Sequence, residues 1–177
     1  AQSSRAKVIG LANAGTDTIN AVKQAAEFGV TRRGTKIAVL LMFINDVHAV
    51  GLPAAQGLLL MEAFYWDMDD GTRAFSRRFQ ERMGRPPSAN QAGVYSAVRS
   101  YLKAIEAAGS DDADAVAAKL HELPVSDAFA PEGKVAANGR MIHDVYLMQV
   151  KKPDEVKEPW DYYTVLATIP GDQAFLD

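Results

Sequence analysis

The residues best suited to chemistry in this chain stand in two short segments, each following an apolar run. Asn13-Ala14-Gly15-Thr16-Asp17 follows Lys7–Ala12, and Phe43-Ile44-Asn45-Asp46-Val47-His48 follows Thr35–Phe43. Short polar side chains and backbone N–H groups of this kind suit a small ligand at the carboxyl ends of strands. Asp17, beside the start of a helix, disfavours a phosphate there. No GxSxG elbow, Walker loop or GxGxxG follows a strand, so nucleophilic and nucleotide chemistry lack their usual frames. His48, His121 and His143 are far apart in sequence. His143 beside Asp144, or His48 near Asp46, is the best acid–base pair on offer, and each has a plainer reading as a surface or hydrogen-bonded histidine. Asp67, Asp69 and Asp70 precede a helix. They lack the glycine and terminal glutamate of a calcium loop, so they read as N-capping acids. Phe64-Tyr65-Trp66 and Tyr95 are candidates to stack on or hydrogen-bond to a ligand, but packing under a loop is the commoner use of such aromatics, and Tyr95 by itself reads as core or rim.

The elements that must position these residues follow from the hydropathy pattern. Lys7–Ala12 reads as a buried strand, and Thr16–Phe28 as a helix with Ile19, Val22, Ala25 and Ala26 on one face, Thr16 as N-cap and Gly29 as its stop. Thr35–Phe43 reads as a strand buried on both faces. Strand, helix, strand is the βαβ unit of a parallel sheet. A short helix is expected at Pro53–Gln56 and a further apolar run at Gly57–Tyr65. Helices follow over Thr72–Met83, Ala89–Ala108 and Ala113–Leu123, the longest with Val94, Val98, Leu102 and Ile105 on one stripe. Beyond Pro124, the Asn138-Gly139 turn and the alternation of Met141–Val150 predict a hairpin or meander. The tail from Lys151, with Pro153, Pro159 and Pro170, is expected to run extended and to be held by Trp160, Tyr162 and Tyr163.

Composition narrows the function classes. The 177 residues carry 19 Lys plus Arg, 22 Asp plus Glu, and a net charge of −3. A nucleic-acid binder would show a basic excess, so no nucleic-acid partner is expected. Cysteine is absent and histidines number three, which leaves no thiol chemistry and predicts neither a metal centre nor a cofactor. No stretch of about 18 apolar residues is present to span a membrane. The start at Ala1, with a polar stub leading directly into a strand, suggests a mature piece or a fragment.

The order VIGLANAGTDTINAVKQAAEFG, LLMFINDVHAVG, AAQGLLLMEAFYWD, QAGVYSAVRSYLKAIEAAGSDDADAV, GRMIHDVYLMQVKKP and PWDYYTVLATIPGDQAF resembles periplasmic solute-binding proteins of branched-chain-amino-acid-type ABC transporters. The resemblance covers essentially the whole chain but only the second half of such proteins. It implies an α/β fold of parallel-sheet βαβ units, forming parts of the two lobes of a type I periplasmic-binding-protein fold. Residues 1–62 would belong to the second lobe, 63–144 to the first, and 145–177 would return to the second and end in the tail. It implies a receptor that captures a small carboxylate, a branched-chain amino acid or an aromatic acid, in the cleft between lobes and delivers it to a membrane permease. It implies a periplasmic location and no catalysis. Carried over by motif, the ligand residues would be Asn13, Ala14, Gly15 and Thr16 in the first loop, Phe43, Asn45 and Asp46 in the second, and Tyr95. Ala14 stands where amino-acid receptors commonly place an aromatic side chain. An inward Asp46 would suit an amino acid, and an inward Asn45 a neutral or purely anionic ligand. The Ser/Thr loops that usually bind the carboxylate would lie in the half not represented, leaving either that half or self-association to complete the fold. The competing readings are an α/β enzyme with a His-Asp pair and a ligand-sensing regulatory domain.

Overall fold

The computed structural model describes residues 2–175 and divides the chain into two compact units. The first comprises Ala1–Glu62 and Tyr146–Thr168, and the second Ala63–Val145 and Ile169–Asp177. The resemblance implies that all of 145–177 returns to the lobe of residues 1–62; contacts group the chain from Ile169 onward with the second unit.

The first unit is a sheet of β1 (Val8–Leu11), β2 (Lys36–Val39), β3 (Leu59–Glu62), β6 (Val145–Val150) and β7 (Tyr163–Ile169), in that spatial order. β1, β2 and β3 are mutually parallel, with Val8 opposite Lys36 and Ala38 opposite Leu59. β6 is antiparallel to β3, with Leu60 opposite Met148. The connections are α1 (Gly15–Glu27) between β1 and β2, and α2 (Ile44–Val50) with α3 (Leu52–Ala55) between β2 and β3. Strand order advances in one direction, so right-handed crossovers place these helices on the same face. That face holds the core: Ile37, Val39, Leu60, Met148 and Val150 are buried with Val22 and Val47 from the helices. The opposite face is open, with Val8 and Met61 each 54% exposed. The both-faces burial expected for β2 is therefore not realised; Lys36–Val39 buries one face only.

The same strand is shorter than its apolar run. It ends at Val39, and Leu40–Phe43 turns away. Phe43–His48, read from sequence as a loop, lies mostly in the helix α2, Ile44–Val50. The tail is also more ordered than expected, because its Tyr163–Ile169 adds the edge strand β7. Tyr162 and Tyr163 are buried as anticipated. Lys151 forms a largely buried ion pair with Asp161, whose other oxygen accepts from Lys157 N at 3.1 Å, closing the turn between β6 and β7.

The second unit is mainly helical: α4 (Asp70–Met83), α5 (Ala89–Ala108), α6 (Ala113–Glu122) and the four-residue α7 (Gly171–Ala174), with the small hairpin β4 (Lys134–Val135) and β5 (Met141–Ile142). Local chemistry sets the ends. Asp69 accepts from Thr72 N at 2.7 Å while Thr72 Oγ1 accepts from Asp69 N at 2.9 Å, a reciprocal cap. Asp112 accepts from Ala115 N at 3.0 Å and starts α6. Gly84 and Gly109, at φ +70° and +63°, end α4 and α5 in the left-handed conformation that glycine adopts without a Cβ penalty. Phe64 meets Phe75 edge to face at 5.9 Å in the core. The apolar stripe of α5 is present but uncovered: Val94, Val98 and Leu102 are 64%, 53% and 58% exposed, while Ala92, Ser96 and Ala104 face inward.

Candidate functional site

The carboxyl-end edge of the first unit gathers two of the loops singled out in the sequence. β1 and β2 are adjacent and parallel, and Leu40 N donates to Leu11 O at 3.0 Å just past their ends. The loops that follow, Ala12–Ala14 and Leu40–Phe43, therefore leave the sheet side by side. This is the edge at which open α/β sheets take ligands.

In the first loop Asn13 is spent on its own turn. Its Oδ1 accepts from the buried Thr18 hydroxyl at 3.3 Å, and its Nδ2 donates to Asp17 O at 3.2 Å. The helix that follows begins one residue earlier than the pattern suggests, with Ala14 at the N-cap position, so Thr16 lies in the first turn and is not the cap. Ala14, Gly15 and Thr16 are exposed. Gly15 has φ +56° with open space where a Cβ would stand, so the edge is wide there.

In the second loop Asp46 Oδ2 accepts from Phe43 N at 2.9 Å, closing the first turn of α2. Phenylalanine has no side-chain acceptor, so this is half of a capping box. Asn45, next to it and half-buried, differs: its Oδ1 is buried without a hydrogen-bond partner. Phe43 is half-buried, and Leu40 and Leu41 before it are 67% and 48% exposed. These two leucines were not singled out in the sequence. The signal was there, because Thr35–Phe43 is a long run for a strand and its last residues had to leave the sheet.

His48 is on α2, not in a loop. It stacks on Trp160 at 4.1 Å and shares a 2.8 Å hydrogen bond between its Nδ1 and the Tyr162 hydroxyl. Burial raises the Tyr162 hydroxyl above its ordinary pKa, against a smaller lowering from the Trp160 backbone. Trp160 itself takes φ +71°, a costly conformation for a bulky residue, held by these ring contacts. Glu62, at the carboxyl end of β3, is 4% exposed and its Oε1 accepts from the Tyr163 hydroxyl at 2.8 Å.

Tyr95 belongs to the second unit. Its ring packs on Phe75 at 4.8 Å, beside an open concavity of about 370 Å³ lined by Asp69, Arg78 and Asp127 among others. His143 Nδ1 donates to the backbone carbonyl of Asp144 at 2.8 Å, and the Asp144 carboxylate accepts from Gly171 N at 3.0 Å. Neither histidine–aspartate neighbour pair is thus a side-chain pair. Arg73 spans Asp67 at 2.9 Å and Asp70 at 2.8 Å, a hydrogen-bonded contact that lowers the Asp70 pKa. With Asp69 capping α4, every acid of that cluster has a structural task. Among the described residues no group of His, Asp or Glu is arranged to hold a metal ion.

A larger open concavity of about 570 Å³, lined by Gly29, Pro53, Gly57 and Lys152 among others, lies in the first unit near the amino ends of β2 and β3. None of the residues selected above lines it, and the carboxyl-end edge has the chemistry.

The sequence matches the profile of the family described as periplasmic binding protein over residues 1–155. The chain belongs to the periplasmic binding protein family. It is similar to a periplasmic binding protein from Burkholderia mallei at 55% identity, with a TM-score of 0.92 over 99% of this chain and 46% of that one. A branched chain amino acid ABC transporter periplasmic ligand-binding protein from Burkholderia xenovorans follows at 43% identity and 0.90, over 99% and 47%. A Rhodopseudomonas palustris solute binding protein in complex with benzoate shares the fold at 17% identity and 0.76, over 94% and 44%. The chain therefore spans less than half the length of these structures. A comparison with curated proteins returned no match. The mixed α/β architecture, its parallel-rich sheet and the type I fold agree with the resemblance read from the sequence.

Proposed function

We propose that this chain is the ligand-binding half of a solute-binding receptor for an ABC importer, working in the periplasm and capturing a small carboxylate. Two homologues support the class of work: the Burkholderia xenovorans protein is an ABC transporter ligand-binding protein, and the Rhodopseudomonas palustris one holds benzoate. The observation that carries the reading is the carboxyl-end edge of the first unit. Ala14, Gly15 and Thr16 follow the carboxyl end of β1, and Phe43 and Asn45 that of the adjacent parallel β2. Asp46 contributes by fixing the start of α2.

The partners in this reading are the solute, a membrane permease, and a companion half of the receptor. The uncovered faces support the last: Val8 and Met61 on the sheet, and Val94, Val98 and Leu102 on α5, are apolar surface that folding normally buries.

The test is thermal-shift and calorimetric titration of the intact receptor against short aliphatic acids, aromatic acids and branched-chain amino acids. Saturable 1:1 binding without turnover is expected. Absence of binding to all three classes would overturn the reading.

A further inference from the structure

We infer that Asn138 is a site of spontaneous covalent modification, in which the Gly139 nitrogen displaces the side-chain amide and leaves aspartate or isoaspartate at position 138. The inference is independent of the receptor reading.

The turn between β4 and β5 brings the reacting groups together. The sequence has five asparagines, at positions 13, 20, 45, 90 and 138, and Asn138 alone precedes a glycine. Asn138 and Gly139 are exposed, so water and base reach them. Asn138 Oδ1 accepts from Arg140 N at 3.1 Å. A side chain that bonds the N–H two residues on is folded over the intervening peptide, which brings its carbonyl carbon toward the Gly139 nitrogen. The Arg140 N–H also faces the oxygen on which negative charge develops during attack, the work of an oxyanion-hole donor. Gly139 has φ +80° and open space where a Cβ would stand, so no side chain of its own shields the nitrogen. Its N–H donates to Ala136 O at 2.8 Å, and that bond must open before the nitrogen reacts. β4 and β5 pair over two residues each, Lys134 with Ile142 and Val135 with Met141, so this opening is a local event. Asn20, Asn45 and Asn90 lie within helices, and at each the next residue carries a side chain.

The step balances as a hydrolysis. Base takes the Gly139 N–H proton, and the nitrogen pair forms a bond to Asn138 Cγ. The tetrahedral oxyanion collapses with cleavage of the Cγ–Nδ2 bond, and ammonia leaves with a proton from water. A succinimide ring remains. Water adds to one of its two carbonyls and opens it, to aspartate by one route and to isoaspartate by the other. Either product places a negative charge next to Arg140, whose guanidinium lies 5.6 Å from the centre of the Phe175 ring. Isoaspartate also lengthens the main chain by a methylene in the turn that sets the register of β4 and β5.

The experiment keeps the purified protein folded at neutral and at mildly alkaline pH, beside a synthetic peptide of residues 134–142. Peptide mass spectrometry locates the exchange of amide nitrogen for oxygen, and methyl acceptance by an isoaspartyl methyltransferase reports the isoaspartate. Conversion at position 138 is expected to be at least about tenfold faster than at any other asparagine, a barrier difference of about 1.4 kcal/mol, and to quicken with pH. It is expected to run within about tenfold of the rate in the peptide. Asn138→Gln, whose carbonyl lies one methylene further from the nitrogen, should abolish it. Gly139→Ala, which sets a methyl beside the nitrogen, should slow it about tenfold or more. A folded protein that converts position 138 more slowly than these limits, or whose other asparagines convert as fast, would overturn the inference.

Discussion

The Tyr163 hydroxyl donates to Glu62 Oε1 at 2.8 Å, joining the first residue of the edge strand to the last residue of β3, with β6 lying between those strands. Both side chains are buried, Glu62 at 4% exposure and Tyr163 at 3%. The bond fastens β7 to the parallel part of the sheet. It also occupies the carboxylate that stands where the chain leaves the first unit. Removing the hydroxyl leaves Oε1 without that donor in a site water does not reach. Tyr163→Phe is expected to cost about 1–3 kcal/mol of stability, the penalty for a buried acceptor deprived of a partner. Urea unfolding measures it. A double-mutant cycle with Glu62→Gln assigns the loss to the pair, and a coupling near zero would contradict it.

Much of this architecture was legible because local chemistry and global fold agree. Asp69, Asp112, Gly84 and Gly109 mark helix ends with side chains and backbone conformations that have a single cheap use, and α5 runs from Ala89 to Ala108 as read. Three features were hidden for physical reasons. α2 is a seven-residue helix whose first residue, Ile44, continues the apolar run of Leu40–Phe43, so its period is masked. β7 is an edge strand exposed over residues 164–168, so no buried face imposes an inside–outside alternation on its sequence. The α5 stripe reports what that helix face is suited to bury, not what these residues bury. At the site, the pattern placed Asn45 and Asp46 together. Only coordinates showed that one carboxylate closes a helix turn while the adjacent amide oxygen has no partner.

Gly171 is expected to be intolerant of any side chain. A Cβ there would lie 2.9 Å from the carbonyl carbon and oxygen of His143, backbone atoms that cannot step aside. The glycine N–H also donates to Asp144 at 3.0 Å, and His143 packs against Phe129 and Phe175 at 4.9 and 5.2 Å. Gly171→Ala must open this cluster, costing about 1–3 kcal/mol as overpacking does. Hydrogen exchange should show faster exchange around His143 and α7 than around α4. Unchanged protection at His143 would contradict the packing argument.

Tyr162 predicts an alkaline limb of stability. Its hydroxyl is raised by burial above the ordinary 10.0, so between the unfolded and folded values the native chain holds the proton that the unfolded chain has released. Its stabilisation is complete below pH 10.0 and is lost as pH rises through the folded value. Tyr162→Phe should therefore flatten the fall of unfolding free energy above pH 10, apart from a constant loss of the His48 contact. The check is urea unfolding at a series of pH values from 8 to 11. Identical slopes in the two proteins would remove Tyr162 as a source of that limb.

The uncovered faces make the most direct prediction about the 177-residue chain by itself. Val94, Val98, Tyr101 and Leu102 form a continuous exposed row on α5, since residues three and four apart share a helix face. Val8 and Met61 are exposed separately on the open side of the sheet, where β1 is also an unpaired edge. Apolar helix rows and free strand edges both drive association. The isolated chain is expected to self-associate in a concentration-dependent manner by sedimentation velocity. Val98→Lys with Leu102→Lys should shift it toward monomer, because lysine on that row is well solvated. On the receptor reading proposed above, the same pair of substitutions in the longer protein should instead lower the thermal midpoint, because in that reading the companion half covers the row. An isolated chain that stays monomeric at every concentration, or an intact receptor indifferent to both lysines, would show that this row has no partner to bury it.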